Sequence, residues 1–349
     1  MRRTALYYDP IFLEHDTGYG HPERSDRLRA IISELQATGL YEQLELRSPR
    51  EATIDEIALV HPSGYIEGVK RVSDSGGGYL DMDTVISLRT FDAALKAAGA
   101  NLEAVESIMA GEIDNAFCLV RPPGHHALPA KGMGFCIFDN LAIAARYAMR
   151  NLEIDRILVV DWDAHHGNGI QDTFYDDDRL LYVSLHQYPH YPGSGGSSEI
   201  GSGKGEGFNV NFPFPAGTGE QVYFAAFEKL IVPIARSFRP QLIMIACGLD
   251  GHYGDPLCSL RLNAVSFGRM ASLLVDLAAE LCEGRIMASI EGGYGLKGIS
   301  NSMVNIMAAL SGLDILADDS VGAPEPSRQE RGLSIIEETG SYHARFWPL

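Results

Sequence analysis

Directly after the apolar run Ile157–Val160, the chain sets Asp161, Asp163, His165, His166 and Asn168 around two glycines, in ILVVDWDAHHGNG. Side chains on an extended segment repeat direction every two residues, so Asp163 and His165 point the same way and can hold one ion between them. Oxygen plus nitrogen ligation suits zinc, iron or cobalt; calcium takes oxygen alone. The bland alternative is a polar loop whose histidines cap a helix, and it requires so much crowding to be accidental.

Three other segments end in reactive groups. AFCLV runs into RPPGHHA, where Pro122 and Pro123 stiffen the chain and Gly124 lets it turn before His125 and His126. Imidazole titrates near neutrality, so the pair suits proton transfer, although a structural role or extra metal ligation stays open. LIMIACGLDGHYGDPL places Asp250 as a candidate third ligand, while Asp255, ahead of Pro256, reads as a turn residue. RIMASIEGGYG leaves Tyr294 beyond two glycines, where a phenol can donate a hydrogen bond or simply pack. Three ligands with a position left for water, an imidazole base and an oxyanion donor are the parts of a hydrolytic amidase.

The elements that must position these groups alternate. Strand-like runs fall at 4–9, 116–120, 157–161, 180–185, 242–247 and 285–290; helical spacing of apolar residues falls at 91–110, 138–150, 219–237 and 264–283. Such alternation predicts an α/β fold with a mainly parallel sheet covered on both faces. With 349 residues, 46% of them hydrophobic, the chain can bury a large core, and residues 1–349 read as one domain. The polar stretch 317–330 reads as a surface loop before a C-terminal helix ending near SYHARFWPL. Glycine-rich loops occupy 74–78 and 192–207; GSGKG within the second lacks the full phosphate-loop pattern.

MRRTALYYDP has no long apolar stretch, so it does not read as a signal peptide, and no segment has the length of a membrane helix. The five cysteines are scattered, as expected of a reducing, cytoplasmic compartment. The net charge of −18 disfavours nucleic acid and favours a cationic substrate. Glu14, Asp16, Glu23, Asp81 and Asp83 are candidate attractors of such a cation.

In order, YYDP, GHPERSDRLRAI, RPPGHHA with GFCIFDN, DWDAHHGNG, VSLHQYPHYPGSGG, GLDGHYGDPL and EGGYG resemble the histone deacetylase and acetylpolyamine amidohydrolase superfamily, in the pattern of bacterial relatives of the class II deacetylases. The resemblance implies a single-domain, three-layer α/β/α arginase/deacetylase-like fold around an eight-stranded parallel sheet. It further implies one catalytic Zn2+ per chain on Asp163, His165 and Asp250. His126 would be the general base and His125 its electrostatic partner, oriented by Asn168 and Asp161 respectively, with Tyr294 polarising the substrate carbonyl. Phe135 and Tyr191 would flank a narrow tunnel, Asp83 would be a rim acid, and Arg24 would sit deep near an acetate-release cavity. Asp161 and Ser184 would help hold a structural K+. The substrate implied is a small cationic acetylated amine or an acetyl-lysine peptide; neither nucleic acid nor membrane is expected as a partner, and a homo-oligomer is left open.

Two departures stand out. Asn168 replaces an aspartate found in some members, which stabilises imidazolium less and favours a neutral His126. Tyr191 stands where phenylalanine is common. The sequence also admits two rivals: a ureohydrolase of the arginase type with two manganese ions, and an inactive acyl-lysine-binding protein. The single aspartate in CGLDGHYG argues against the first, and the intact histidine pair and Tyr294 against the second.

Overall fold

The computed structural model describes residues 2–314, 316–320 and 323–349. Among these, ten strands form: β1 (Thr4–Tyr7), β2 (Glu45–Arg47), β3 (Gly77–Tyr79), β4 (Val85–Ser87), β5 (Asn115–Cys118), β6 (Ile157–Asp161), β7 (Leu180–Gln187), β8 (Asn209–Phe214), β9 (Leu242–Cys247) and β10 (Ile286–Ile290). Eight pair in the order β2-β1-β5-β10-β9-β6-β7-β8. Every pair in that sheet is parallel; β3 and β4 form a separate antiparallel hairpin.

The central strands β5, β6, β9 and β10 are buried along their whole length. Continuous apolar runs such as ILVV and LIMIA suit a parallel strand covered on both faces. Helices 26–37, 296–311 and 264–281 pack together, as do 90–109 and 140–151, and these groups supply the cover. Parallel neighbours need crossover connections, which is why helices alternate with strands along the chain.

The six strands read from the sequence all form. The edge strands β2 and β8 escaped that reading, because β2 is only ELR and β8 interleaves Asn209, Asn211 and Pro213 with its apolar residues. Proline is tolerated there because an edge strand has one free side. The helix expected over 219–237 forms in three parts: Glu220–Ala226, a π turn Phe227–Ile231, and Val232–Phe238. Pro233 has no N–H to give, and the wider turn, in which Val232 N–H reaches Phe227 C=O, absorbs the mismatch.

The described residues of 317–330 are exposed or half-buried and form no helix or strand before Gln329, the surface loop read from the sequence. Residues 321 and 322 lie outside the described residues, but Asp319 is tied inward, accepting from Ala264 N–H (2.9 Å) and pairing with His252 Nε2 (2.9 Å). The helix that follows spans Gln329–His343. The glycine-rich 192–207 loop is likewise anchored: Glu199 accepts from Gly195 N–H and Gly196 N–H, each at 2.8 Å, and from Gln171 Nε2 at 2.7 Å. All five cysteines are free and buried. Among the described residues, no helix is long and apolar enough to cross a membrane.

Candidate active site

Because the sheet is parallel, β5, β10, β9 and β6, four consecutive neighbours in it, open their carboxyl ends on one edge, where ligands bind in such sheets. The loops leaving them carry His125 and His126, Tyr294, Asp250, and Asp163 with His165.

Beyond β6 the chain is turned by its own carboxylates. Asp161 Oδ1 accepts from Asp163 N–H (3.1 Å) and Asp163 Oδ1 from His165 N–H (2.8 Å). Backbone from the neighbouring strands pins the acids further: Gly292 N–H donates to Asp163 Oδ2 (2.8 Å) and Ala164 N–H to Asp250 Oδ1 (2.7 Å). His165 Nδ1 then lies 3.1 Å from Asp163 Oδ1 and 2.9 Å from Asp250 Oδ2.

These residues fit a divalent ion. One ligating atom from each of Asp163, His165 and Asp250 lies within 4.8 Å of the others. Both carboxylates are fully buried. Burial first, and then the charge of Asp163, push Asp250 up to about 7. Two buried acids so close together call for a cation. The space is kept clear by glycine: a Cβ at Gly248 would strike the Asp163 carboxylate, and one at Gly292 those of Asp250 and Asp163.

The histidine pair is electrostatically split. His125 Nδ1–H donates to Asp161 Oδ2 (3.0 Å), and Tyr182 OH donates to the same oxygen (2.8 Å). Burial would lower the pKa of His125, but Asp163 and Asp161 outweigh it and raise the value to about 10. His126 Nδ1–H donates to Asn168 Oδ1 (2.8 Å). An amide oxygen only accepts, which leaves the lone pair of a neutral His126 on Nε2. Burial, and then the positive charges of His125 and His165, hold His126 well below the ordinary imidazole range.

A cavity of about 380 Å³ reaches this centre, lined by His21, Asp83, Phe135, His165, Tyr191 and Tyr294 among others. Phe135 meets Tyr294 edge-on (5.9 Å between ring centres, 87°), and Tyr191 meets His126 likewise (5.1 Å, 88°). Phe135 has φ of 70°, a left-handed conformation costly for an aromatic residue, and Thr84 Oγ1 accepts from its N–H at 3.1 Å. Among the described residues the Tyr294 hydroxyl makes no hydrogen bond. Its backbone N–H donates to Asp255 Oδ2 (2.7 Å), so Asp255 is not merely a turn residue: it caps the turn that presents Tyr294.

Several expected positions come out differently. Arg24 is exposed and pairs with Asp26 at 3.3 Å; it does not sit deep. It precedes helix 26–37, whose buried face begins with Arg27. Arg27 lies over the Tyr294 ring (5.2 Å) and donates to Gly293 C=O (2.6 Å) and Glu23 Oε1 (2.9 Å). Glu23 is itself buried between Arg27 and Arg121 (2.6 Å), and Glu14 pairs with Arg89 (2.9 Å), so neither is free to attract a substrate. Asp81 is engaged by Thr84 N–H (2.8 Å), whereas Asp83 is exposed at the rim. His166 faces away from the centre, on Ser194 and Gln171. Ser184 stands opposite Asp161 in the β6–β7 register, its Oγ 2.9 Å from His186 Nδ1.

Sequence reasoning passed over Glu291, whose Oε2 accepts from Gly124 N–H (2.7 Å) and His125 N–H (3.1 Å) and so pins the histidine loop. An acid at the end of a strand, inside EGGYG, was the available signal. It also missed His21, stacked edge-on against Phe135 (4.7 Å).

Comparison with known proteins agrees with this arrangement. Residues 21–310 match the histone deacetylase domain. A probable deacetylase of Archaeoglobus fulgidus is 38% identical, over 99% of this chain and 98% of that protein. A histone deacetylase-like amidohydrolase of Pseudomonas aeruginosa is 38% identical, over 89% and 87%. Among solved structures, the HDA15 HD domain superposes with a TM-score of 0.91 at 36% identity, covering 100% of this chain and 97% of that one.

Proposed function

Because this chain belongs to the histone deacetylase family and is a hydrolase of that family, we propose that it removes acetyl groups from N-acetylated amines using one zinc ion per chain, held by Asp163, His165 and Asp250. The membership sets aside the binuclear ureohydrolase. The observation that carries the reading is the oppositely poised histidine pair beside that ligand set, at the inner end of an aromatic-walled cavity.

When bound, the ion supplies Lewis acidity, polarising the amide carbonyl and acidifying a water. His126 takes the water's proton at Nε2 and later delivers it to the leaving amine nitrogen, so that acetate and free amine depart. His125, protonated and held by Asp161, places positive charge beside the developing oxyanion, to which the Tyr294 hydroxyl donates. Arg27, packed on the Tyr294 ring, and Asp255, under its backbone, hold that phenol in place. Loss of the base typically costs about 10²–10⁴ in rate, so His126→Ala should lose that much kcat, and His125→Ala less. Wild-type turnover by His126→Ala at neutral pH would contradict the assignment.

For the substrate we favour small acetylated polyamines over acetyl-lysine peptides. Phe135 and Tyr191 both line the cavity and would flank a straight aliphatic arm, and exposed Asp83 together with the net charge of −18 favours a cation outside. Exposed pairs are screened over about 10 Å at 0.1 M salt. Thus kcat/KM for acetylspermidine should fall as ionic strength rises; a flat response with acetyl-lysine peptides preferred throughout would overturn the preference.

A structural potassium ion near Asp161 and Ser184 belongs to the same proposal. Its ligands would include backbone carbonyls, since both Asp161 side-chain oxygens already accept hydrogen bonds. The melting temperature should rise in potassium chloride relative to tetramethylammonium chloride at equal ionic strength; equal values would remove the ion from the account.

A further inference from the structure

On the wall of the same cavity a second set of ligating atoms converges that the proposed chemistry leaves unused. Cys258 Sγ lies 3.6 Å from His165 Nε2 and 3.6 Å from His190 Nε2. One ligating atom from each of these residues lies within 4.8 Å of the others. A tetrahedral zinc ion, with Zn–S near 2.3 Å and Zn–N about 2.0–2.1 Å, sets its N and S ligands about 3.5 Å apart. The spacing found therefore needs little adjustment.

His165 serves two edges. Its Nδ1 faces Asp163 and Asp250 while its Nε2 faces Cys258. His190 is stacked on His165 (4.9 Å between ring centres, 21°) and is only partly buried. Cys258 is buried, and His165, His190 and Leu257 line the cavity together.

We propose that His165 Nε2, His190 Nε2 and Cys258 Sγ form a second, inhibitory site for zinc or a similar borderline divalent ion, joined to the first by His165 as a bridging imidazolate. The proposal rests on the reading that Asp163, His165 and Asp250 hold the catalytic ion. As the second ion enters, the Cys258 thiol and the His165 Nε2–H each release their proton to solvent; nothing is oxidised or reduced. The two carboxylates, the thiolate and the imidazolate then balance two divalent ions. Sulfur with two imidazoles selects zinc or cobalt over magnesium or calcium. The site is the weaker of the two, because it fills only by making an anion of a ring already committed to the first ion. Once filled, it should stop turnover, since two of its ligands, His165 and His190, line the cavity the acyl arm must enter, together with Tyr191 and Leu257.

Cobalt(II) added to metal-stripped protein tests this, because only the second site has a thiolate. The first equivalent should restore acetate release without a thiolate-to-cobalt charge-transfer band in the near ultraviolet. The second should bring that band in and abolish activity. Cys258→Ser and His190→Ala should bind one equivalent and show no band. Absence of the band at several equivalents, or its persistence in Cys258→Ser, would overturn the second site. If the band develops although the first equivalent restores nothing, the His–His–Cys site stands and the catalytic reading falls.

Discussion

Tyr294→Phe should lower kcat by about 10²–10³, the usual cost of losing one oxyanion donor, while leaving metal content and fold unchanged. The substitution removes a single oxygen. The Asp255 bond is to the backbone N–H, and Arg27 and Phe135 meet the ring, so everything that positions residue 294 survives. The hydroxyl makes no hydrogen bond among the described residues, so its removal strands no buried partner. Burial, and then the charge of Asp250, raise the phenol's pKa well above its ordinary value, so it stays a proton donor throughout the neutral range. The loss should fall on kcat, because the donor acts where charge develops and not where the substrate is held. An effect confined to KM would remove Tyr294 from the oxyanion role.

The parts of the site most legible in the sequence lie next to strand ends. Asp163 and His165 share a direction because extended chain alternates, and Ile157–Val160 marks the strand that launches them. Asp250 and Tyr294 follow equally plain apolar runs. What escaped depends on contacts between distant segments. Arg24 and Arg27 are equivalent in sequence, and only the packing of helix 26–37 decides which is buried. Glu23 looks like a surface acid until Arg121, 98 positions away, closes on it; charged groups are seldom buried unless so paired. Asp255 reads as a turn residue because Pro256 follows it, and its carboxylate finds Tyr294 only because β9 and β10 lie side by side in the sheet. The eight-stranded sheet was implied by the resemblance, whereas its edge strand β2 is only ELR and β8 alternates its apolar residues with Asn209, Asn211 and Pro213 instead of running apolar throughout.

Asp250→Ala should lose the ion and, with it, activity. Asp250 is the ligand supplied from β9, and the remaining pair, Asp163 and His165, comes from one short segment. Without Asp250, His165 keeps only the Asp163 contact on its Nδ1 edge. The Ala164 N–H that donated to Asp250 Oδ1 is left unpaired as well, which loosens the turn carrying both remaining ligands. The fold should persist, because the strands themselves are untouched and one of two crowded buried acids has been removed. Stoichiometric zinc and wild-type turnover in this variant would show the ligand set to be wrong.

Metal-dependent deacetylation by this ligand set is most directly tested by measuring released acetate and bound metal on one sample, with acetylspermidine and an acetyl-lysine peptide as substrates. Protein stripped with a chelator should release no acetate. One equivalent of zinc should restore turnover in the wild type and fail to bind to Asp250→Ala. Acetate released at the full rate by metal-free protein would contradict the account.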